Sequence, residues 1–502
     1  MAIAKVCGIE TEYGIRVSGS PDPNPITASS ILINAYVARQ SRQVGWDFED
    51  ESPGQDARGF ARESAMPPEV ETHLVNAVLT NGARYYVDHA HPEYSTPECA
   101  TPRQLVCYDK AGELTLIRSM EAASSVLPAG QAIVVYKNNS DHKGNSYGCH
   151  ENYLMDRSVP FSRIVQHVLP HFVTRQIYTG AGKVGREISS SIGDGTFQLS
   201  QRADFFEEEV GLETTLKRPI VNTRDEPHAD PQKYRRLHVI VGDANLAQVA
   251  TFLKVGVTAV VLAMIEDDWF QDRDFTLAAP VRALHQVSND LSLSQPLELA
   301  NGTTLTALDL QWELYDLALK YAEERGLEFF GEASSGSEAS SGSEVMARWE
   351  ETLTGLESDP MSMARQLDWV AKYQLIDAYR QRHSLSWDDH KLVAMDLQYH
   401  DLQAGKSLFA RLDTEELVDR ESVLEAVTEP PRDTRAYFRG RCLQRWSSQV
   451  AAANWDSLVF DLGSDPLRRV PMMEPLRGTA SHVDSLLEGC SSPAELLSRL
   501  SS

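Results

Sequence analysis

The segment Arg84-Tyr-Tyr-Val-Asp88 constrains the fold most, because it has the spacing of a β-strand but is polar on one face. Side chains alternate between the two faces of a strand, so Arg84, Tyr86 and Asp88 point one way while Tyr85 and Val87 point the other. A cation, a phenol and a carboxylate pack poorly against an apolar layer. Together they suit a wall that faces a charged ligand and its metal.

A second acidic strand is predicted near the N-terminus, in Gly8-Ile-Glu10-Thr-Glu12. Glu10 and Glu12 share one strand face and lie roughly 7 Å apart, two residues of strand rise. Mg²⁺ prefers carboxylate oxygens and commonly shares them with phosphate oxygens. A Glu-x-Glu pair is equally typical of a solvated edge strand, but two acidic strands together indicate a magnesium–nucleotide site built on a sheet.

Two further polar segments are candidates for the same site. In Asn145-Ser-Tyr-Gly-Cys-His150-Glu-Asn152, a glycine turn leads to an imidazole and an amide, although a lone histidine is more often structural. The segment 222–243 carries arginines that could clamp a carboxylate or phosphate in a bidentate manner, or could form a salt-bridge network. The spacing of a phosphate loop or a dinucleotide fingerprint is missing.

Composition excludes several classes of protein. A formal net charge of −25 argues against nucleic-acid binding, since an acidic surface repels phosphates. The N-terminus lacks the basic and apolar regions of a signal peptide, and the apolar run 255–265 is too short to span a bilayer, so we expect a buried helix there. The six cysteines are scattered without a Cys-x-x-Cys pair, which favours reduced thiols and a cytoplasmic protein.

The order of predicted elements favours an α+β fold with a largely antiparallel sheet, because strands do not alternate regularly with single helices. Two segments are predicted to be flexible: residues 45–71, which are acidic and rich in proline and glycine, and the Ser/Gly tract 332–344. Pro430-Pro431 ends a helical region. We therefore predict a catalytic domain over 1–431 and a small α/β domain over 432–502.

Several motifs, in this order along the chain, carry a resemblance to a known family. They are GIETEYG from residue 8, YVDHAHPEYSTPEC from residue 86, KNNSDHKGNSYGCHENYL from residue 137 and NTRDEPHADPQKYRRLHVIVGDAN from residue 222. The chain resembles the glutamine synthetase-like superfamily, and within it the branch that comprises the Pup ligases and the Pup deamidases. The insertion at 45–71 and the tight spacing from Asp88 to Glu93 are similar to the deamidase members.

This resemblance implies a fold and an activity. The fold is a glutamine synthetase-like sheet cradle packed by helices, with a small C-terminal domain. The activity is hydrolysis of the side-chain amide at the C-terminal residue of Pup, a small disordered protein modifier. It would convert a terminal glutamine to glutamate and would release Pup from lysines of pupylated proteins. ATP and Mg²⁺ are expected as bound cofactors.

Three other functions stay open from the sequence. A Pup ligase would phosphorylate the terminal glutamate of Pup and conjugate it to lysines. The other two are a ligase for small γ-glutamyl compounds and a non-enzymatic protein that sequesters Pup conjugates.

The resemblance also implies roles for individual residues. Asp88 is the catalytic carboxylate, either as a nucleophile or as a base for water, and the sequence leaves both roles open. The implied metal ligands are Glu10, Tyr86, Glu93, His150 and His238, with Glu12 in reserve. The implied nucleotide contacts are Arg84, Thr96, Asn152 and Trp455. Arg224 is expected to hold the C-terminal carboxylate of the substrate.

Charge poses a problem for this interpretation. Pup is acidic and so is this chain, so a local basic surface is needed to steer the encounter. We expect that surface to be formed by Lys233, Arg235, Arg439 and Arg441.

Overall fold

The fold is described from a computed structural model, which covers residues 1–21, 23–39, 43–49, 51–60, 75–187, 197–270, 273–330, 340–463 and 465–501. Its strands are β1 Cys7–Glu12, β2 Gly14–Ser18, β3 Val44–Trp46, β4 Asn76–Val78, β5 Arg84–Asp88, β6 His91–Ser95, β7 Ala132–Tyr136, β8 Cys149–Asp156, β9 Lys183–Val184, β10 Phe197–Gln198, β11 Phe206–Gly211, β12 Arg218–Asn222, β13 Tyr234–Val239, β14 Leu297–Glu298, β15 Thr304–Leu305, β16 Val450–Ala453, β17 Ser457–Phe460 and β18 Arg468–Pro471.

Ten of these strands form one sheet, in the order β13-β8-β1-β6-β5-β4-β3-β16-β17-β18. Neighbouring strands are antiparallel throughout, except that β3 and β16 run parallel. The predicted α+β class with a largely antiparallel sheet is therefore confirmed. The predicted polar strand is β5, near the middle of the sheet.

Helices pack against the sheet and against one another. They are α1 Pro25–Val37, α2 Pro102–Ala123, α3 Phe161–Thr174, α4 Gln176–Thr179, α5 Gln248–Glu266, α6 Pro280–Ser288, α7 Ala307–Arg325, α8 Ser341–Ser358, α9 Asp368–His383, α10 His390–Tyr399, α11 Arg420–Ala426, α12 Ala436–Trp446, α13 Ala480–Glu488 and α14 Pro493–Leu500.

Helix α5 is the central helix of the largest apolar cluster. It contains the apolar run 255–265, and its residues from Val249 to Ile265 are all buried. By length and composition α5 could cross a membrane, but its whole apolar stretch lies inside the protein. An apolar surface on every side suits a helix enclosed by other elements. The predicted buried helix is thus confirmed.

The C-terminal strands extend the large sheet rather than forming a sheet of their own. β16 pairs with β3, so residues 450–453 continue a sheet that begins at the N-terminus. This region has a separate apolar cluster, which joins Phe438, Leu458 and Phe460 to Val44 and Trp46. A domain boundary at 431/432 therefore remains a prediction, and β3 is shared across it.

Both segments predicted to be flexible are partly ordered. Within 45–71, Trp46 ends β3, and residues 51–60 are held to the strand end near Arg224 by a β-bridge between Asp56 and Arg224. Their pairing partners lie far away in the chain, so the composition of the segment does not report this pairing. The mobility of the segment stays a prediction. Residues 61–71 lie outside the described part of the protein. The tract 332–344 likewise ends in helix, because Ser340 caps α8, while residues 332–339 lie outside the described part.

A buried ion cluster fastens the C-terminal region to the sheet. Glu98, just beyond β6, accepts hydrogen bonds from Arg435 and Arg439, and Arg439 also donates to the carbonyl oxygens of Gly82 and Trp455. Burial raises the pKa of the Glu98 carboxyl, but the two guanidinium groups outweigh it and hold that pKa at about 2. The carboxylate is therefore ionised and paired at any ordinary pH.

Replacing Arg439 should destabilise the whole protein. Arg439→Met leaves Glu98 with Arg435 as its one remaining guanidinium partner and removes the buried donor to two carbonyl oxygens. Breaking a buried pair in this way typically costs about 3–5 kcal/mol. Arg441→Met is the matched control on the same helix, because Arg441 is 28% exposed and pairs with Glu429 at the surface, a kind of contact worth about 1 kcal/mol or less. Urea unfolding of both variants measures the difference. An equal loss of the free energy of unfolding in the two variants would contradict the proposed role of Arg439.

Candidate active site

Cross-strand register brings the polar side chains onto one face of the sheet. In the pairing of β1 with β8, Glu10 lies opposite His150, and in the pairing of β1 with β6, Glu12 lies opposite Glu93. Tyr86 of β5 lies opposite Glu93 in turn. Since directly opposed residues point to the same face, these side chains form one continuous polar patch.

Glu10, His150 and His238 form the first cluster. One ligand atom from each lies within 4.8 Å of the others. His150 Nδ1 is 3.6 Å and His238 Nε2 is 3.9 Å from Glu10 Oε2. Burial and the nearby Arg236 and Arg224 lower the pKa of His238 well below its ordinary value, so the ring is neutral. Its Nε2 is buried and has no hydrogen-bond partner in the described part of the chain.

Glu12, Asp88 and Glu93 form the second cluster, with the same 4.8 Å limit. Burial raises the pKa of Glu93 well above its ordinary value, and the neighbouring carboxylates, led by Asp88, raise it further. Burial acts in the same direction on Glu12, but the nearby His91 and His150 rings and the Gly148 N–H outweigh it and hold the pKa of Glu12 at about 2. Glu93 is therefore the carboxyl that keeps a proton more readily than Glu12 does.

The predicted metal ligands fall into these two clusters. Glu10, His150 and His238 are in the first, and Glu93 is in the second beside the reserve residue Glu12. The Tyr86 hydroxyl donates a hydrogen bond to Glu93 Oε1 at 2.5 Å. Tyr86 thus contacts a candidate metal ligand, Glu93, through its hydroxyl group.

A cavity of about 570 Å³, counting its opening to solvent, adjoins the first cluster. Three of the four predicted nucleotide contacts line it: Thr96, Asn152 and Trp455. The Thr96 hydroxyl accepts from the Ile9 N–H at 3.0 Å, and Asn152 Nδ2 donates to Glu10 Oε1 at 2.8 Å. The cavity is therefore connected to the acidic strand by hydrogen bonds.

Arg84, the fourth predicted nucleotide contact, is held in an aromatic stack. Its guanidinium carbon lies 3.9 Å from the ring centroid of Trp46 and 3.9 Å from that of Tyr86. Trp46 meets Trp455 edge-on, with ring centroids 5.2 Å apart. The stack thus runs from the cavity wall at Trp455 to Tyr86, next to the second cluster.

Arg224 lies at the edge of the site, where the segment 51–60 crosses it. Its Nε is buried without a hydrogen-bond partner among the described residues. Its charge acts on Glu226, Glu51 and His238. The Nε–H of Arg224 could therefore donate to an anion, but binding of a substrate carboxylate stays a prediction.

Two contacts to Glu12 were not predicted from the sequence. The Gly148 N–H donates to Glu12 Oε1 at 2.9 Å, and His91 Nδ1 lies 3.5 Å from Glu12 Oε2. Alternation along β6 could have identified His91, because it shares a face with Glu93. The Gly148 contact depends on how a loop folds back, and no periodic signal reports that.

The predicted basic surface is wrong. Arg439 is fully buried against Glu98, and Arg441 pairs with Glu429. Lys233 pairs with Glu474, while Arg235 is buried and lies 4.0 Å from Asp225. Each of these cations is matched by a carboxylate, and for Arg439 and Lys233 that carboxylate comes from a distant part of the chain, so together they form no free cationic surface.

Comparisons with known proteins show the family to which this chain is related. A family model described as Pup-ligase protein matches residues 5–459. A depupylase of Acidothermus cellulolyticus is 55% identical over 509 residues, with 99% of both chains covered. A Pup deamidase/depupylase of Mycolicibacterium smegmatis is 48% identical over 512 residues, again with 99% of both covered.

Solved structures give the same result. The complex between the prokaryotic ubiquitin-like protein Pup and its ligase PafA superposes with a TM-score of 0.80 at 33% identity, covering 99% of this chain and 94% of that one. PafA in complex with ADP superposes with a TM-score of 0.73 at 36% identity, covering 86% and 96%. This chain belongs to the Pup-ligase family, as its motifs predict.

Proposed function

We propose that this protein is an amide hydrolase that acts on Pup. It deamidates Pup ending in glutamine and removes Pup from lysines of pupylated proteins in the cytoplasm. Relatives that match the whole chain at 48–55% identity carry the names depupylase and Pup deamidase, whereas four Pup ligases are 36–40% identical to it. The observation that carries the chemistry is the Glu12, Asp88 and Glu93 cluster.

ATP and Mg²⁺ are proposed as the bound cofactors. The residues suit them: His238 Nε2 is a buried lone-pair atom without a partner in the described part of the chain, and it faces Glu10 and His150. Glu10, His150, His238, Glu12 and Glu93 would hold the metal, and Thr96, Asn152 and Trp455 would contact the nucleotide. The metal would supply positive charge close to the reacting carbonyl.

Asp88 is proposed as the reactive group. Its side chain is 32% exposed, whereas Glu93 is buried, so Asp88 is the member of the cluster that a substrate can reach. Attack on the amide carbon would break the C–N bond, form an acyl anhydride on Asp88 and release ammonia or the lysine amine, whose nitrogen takes its proton from water. Water would then hydrolyse the anhydride to the Asp88 carboxylate and a terminal glutamate. Acting instead as a base, Asp88 would take a proton from the attacking water. Arg224 is proposed to hold the C-terminal carboxylate of Pup.

Asp88→Asn is expected to lower ammonia release from Pup ending in glutamine by about 10³-fold or more, because an amide is neither a nucleophile nor a base here. Binding of fluorescent Pup should stay within about twofold of wild type. Asp388→Asn, at an exposed site in the turn before α10, is the control and should be fully active. A wild-type protein that conjugates Pup with steady ATP turnover and releases no ammonia would instead be a ligase.

Mg²⁺ binding is expected to release a proton and to strengthen as pH rises. The raised pKa of Glu93 means that its carboxyl keeps a proton in the metal-free protein, and a cation must displace that proton in order to bind. Affinity should therefore rise by up to about tenfold per pH unit below the pKa of Glu93. Calorimetry at several pH values, in buffers of different ionisation enthalpy, measures the release. Glu93→Gln should abolish it, and a pH-independent affinity in the wild type would contradict the prediction.

A further inference from the structure

The turn that follows Asp88 has an unusual backbone. Asp88 pairs with His91 across the β5–β6 hairpin, so His89 and Ala90 form a two-residue turn. His89 has a φ of 52°. A positive φ at the first turn residue favours glycine, because a Cβ atom crowds the backbone there. A histidine at this position therefore needs a reason other than the turn itself.

The His89 side chain has a contact that supplies this reason. Its Nδ1 lies 2.9 Å from Asp88 Oδ2, and since a carboxylate only accepts, the Nδ1–H donates. The imidazole is 58% exposed.

Each carboxylate of the second cluster accepts one hydrogen bond among the described residues, but Asp88 is 32% exposed whereas Glu93 is buried, so less packing holds the Asp88 side chain. Glu12 accepts from the Gly148 N–H, and Glu93 accepts from the Tyr86 hydroxyl. For Asp88, the bond from His89 is the one hydrogen bond that its carboxylate accepts within the described part of the chain. Oδ1 is thus left for another partner.

We propose that His89 is a positioning residue, which fixes the Asp88 carboxylate so that its second oxygen faces the amide of the substrate. The proposal rests on the assignment of Asp88 as the reactive group. A partly exposed carboxylate without a donor rotates about two side-chain bonds, and a misplacement of about 1 Å can cost about 10²-fold in rate. The left-handed backbone of His89 is what brings its ring back over Asp88.

Two substitutions separate this role from a purely structural one. His89→Gly suits the positive φ and removes the donor, whereas His89→Asn tolerates that φ and keeps an N–H donor on a short side chain. In deamidation of Pup ending in glutamine, we expect His89→Gly to lower kcat by about 10- to 100-fold, with KM within about twofold of wild type. His89→Asn should recover most of that loss. The melting temperature of His89→Gly should equal or exceed that of wild type.

Failure of the proposed role of His89 can be distinguished from failure of the proposed function. Wild type without ammonia release, or Asp88→Asn with full activity, would defeat the proposed function. An active wild type with an inactive Asp88→Asn, combined with a fully active His89→Gly, would defeat only the role of His89. An equal loss in His89→Asn and His89→Gly would also overturn it. In the double variant, adding His89→Gly to Asp88→Asn should cause no further loss, because both changes act through one carboxylate.

Discussion

The site depends on the register of β1 with the two strands beside it. Glu10 lies opposite His150 and Glu12 lies opposite Glu93, so two clusters arise from consecutive residues on one strand face. A slip of one residue in either pairing would turn the acidic side chains toward the helices. That error would bury unpaired carboxylates, which would cost free energy of folding. The apolar face and the polar face of β1 therefore favour the same register.

Alternation along single strands was enough to predict which residues face the site. It identified Glu10, Glu12, Tyr86 and Asp88, because a period of two is a local property. It could not predict that the Tyr86 hydroxyl donates a hydrogen bond to Glu93, since that contact depends on the pairing of β5 with β6. The resemblance of the motifs supplied the chemistry, and geometry then divided the predicted ligands into two clusters.

Partners supplied by the folded chain explain what composition alone did not show. The cations expected to form a basic surface are neutralised by carboxylates, two of which lie far away in sequence: Glu98 for Arg439 and Glu474 for Lys233. Residues 45–46 and 51–60 looked too polar to order, yet β3 gains backbone partners from β4 and β16, and the following segment gains them near residue 224. Composition describes what a segment can bury by itself and omits what remote segments offer it.

The parallel pairing of β3 with β16 affects the order in which the protein is completed during synthesis. The cavity beside Glu10 takes part of its wall from Arg435 and Trp455, which leave the ribosome long after the acidic strands have emerged. Chains generally fold from the N-terminus while they are being made. The emerging polypeptide therefore exposes the edge of β3 and an unfinished cavity until residues 435–455 appear, and the cavity wall is completed only at that late stage.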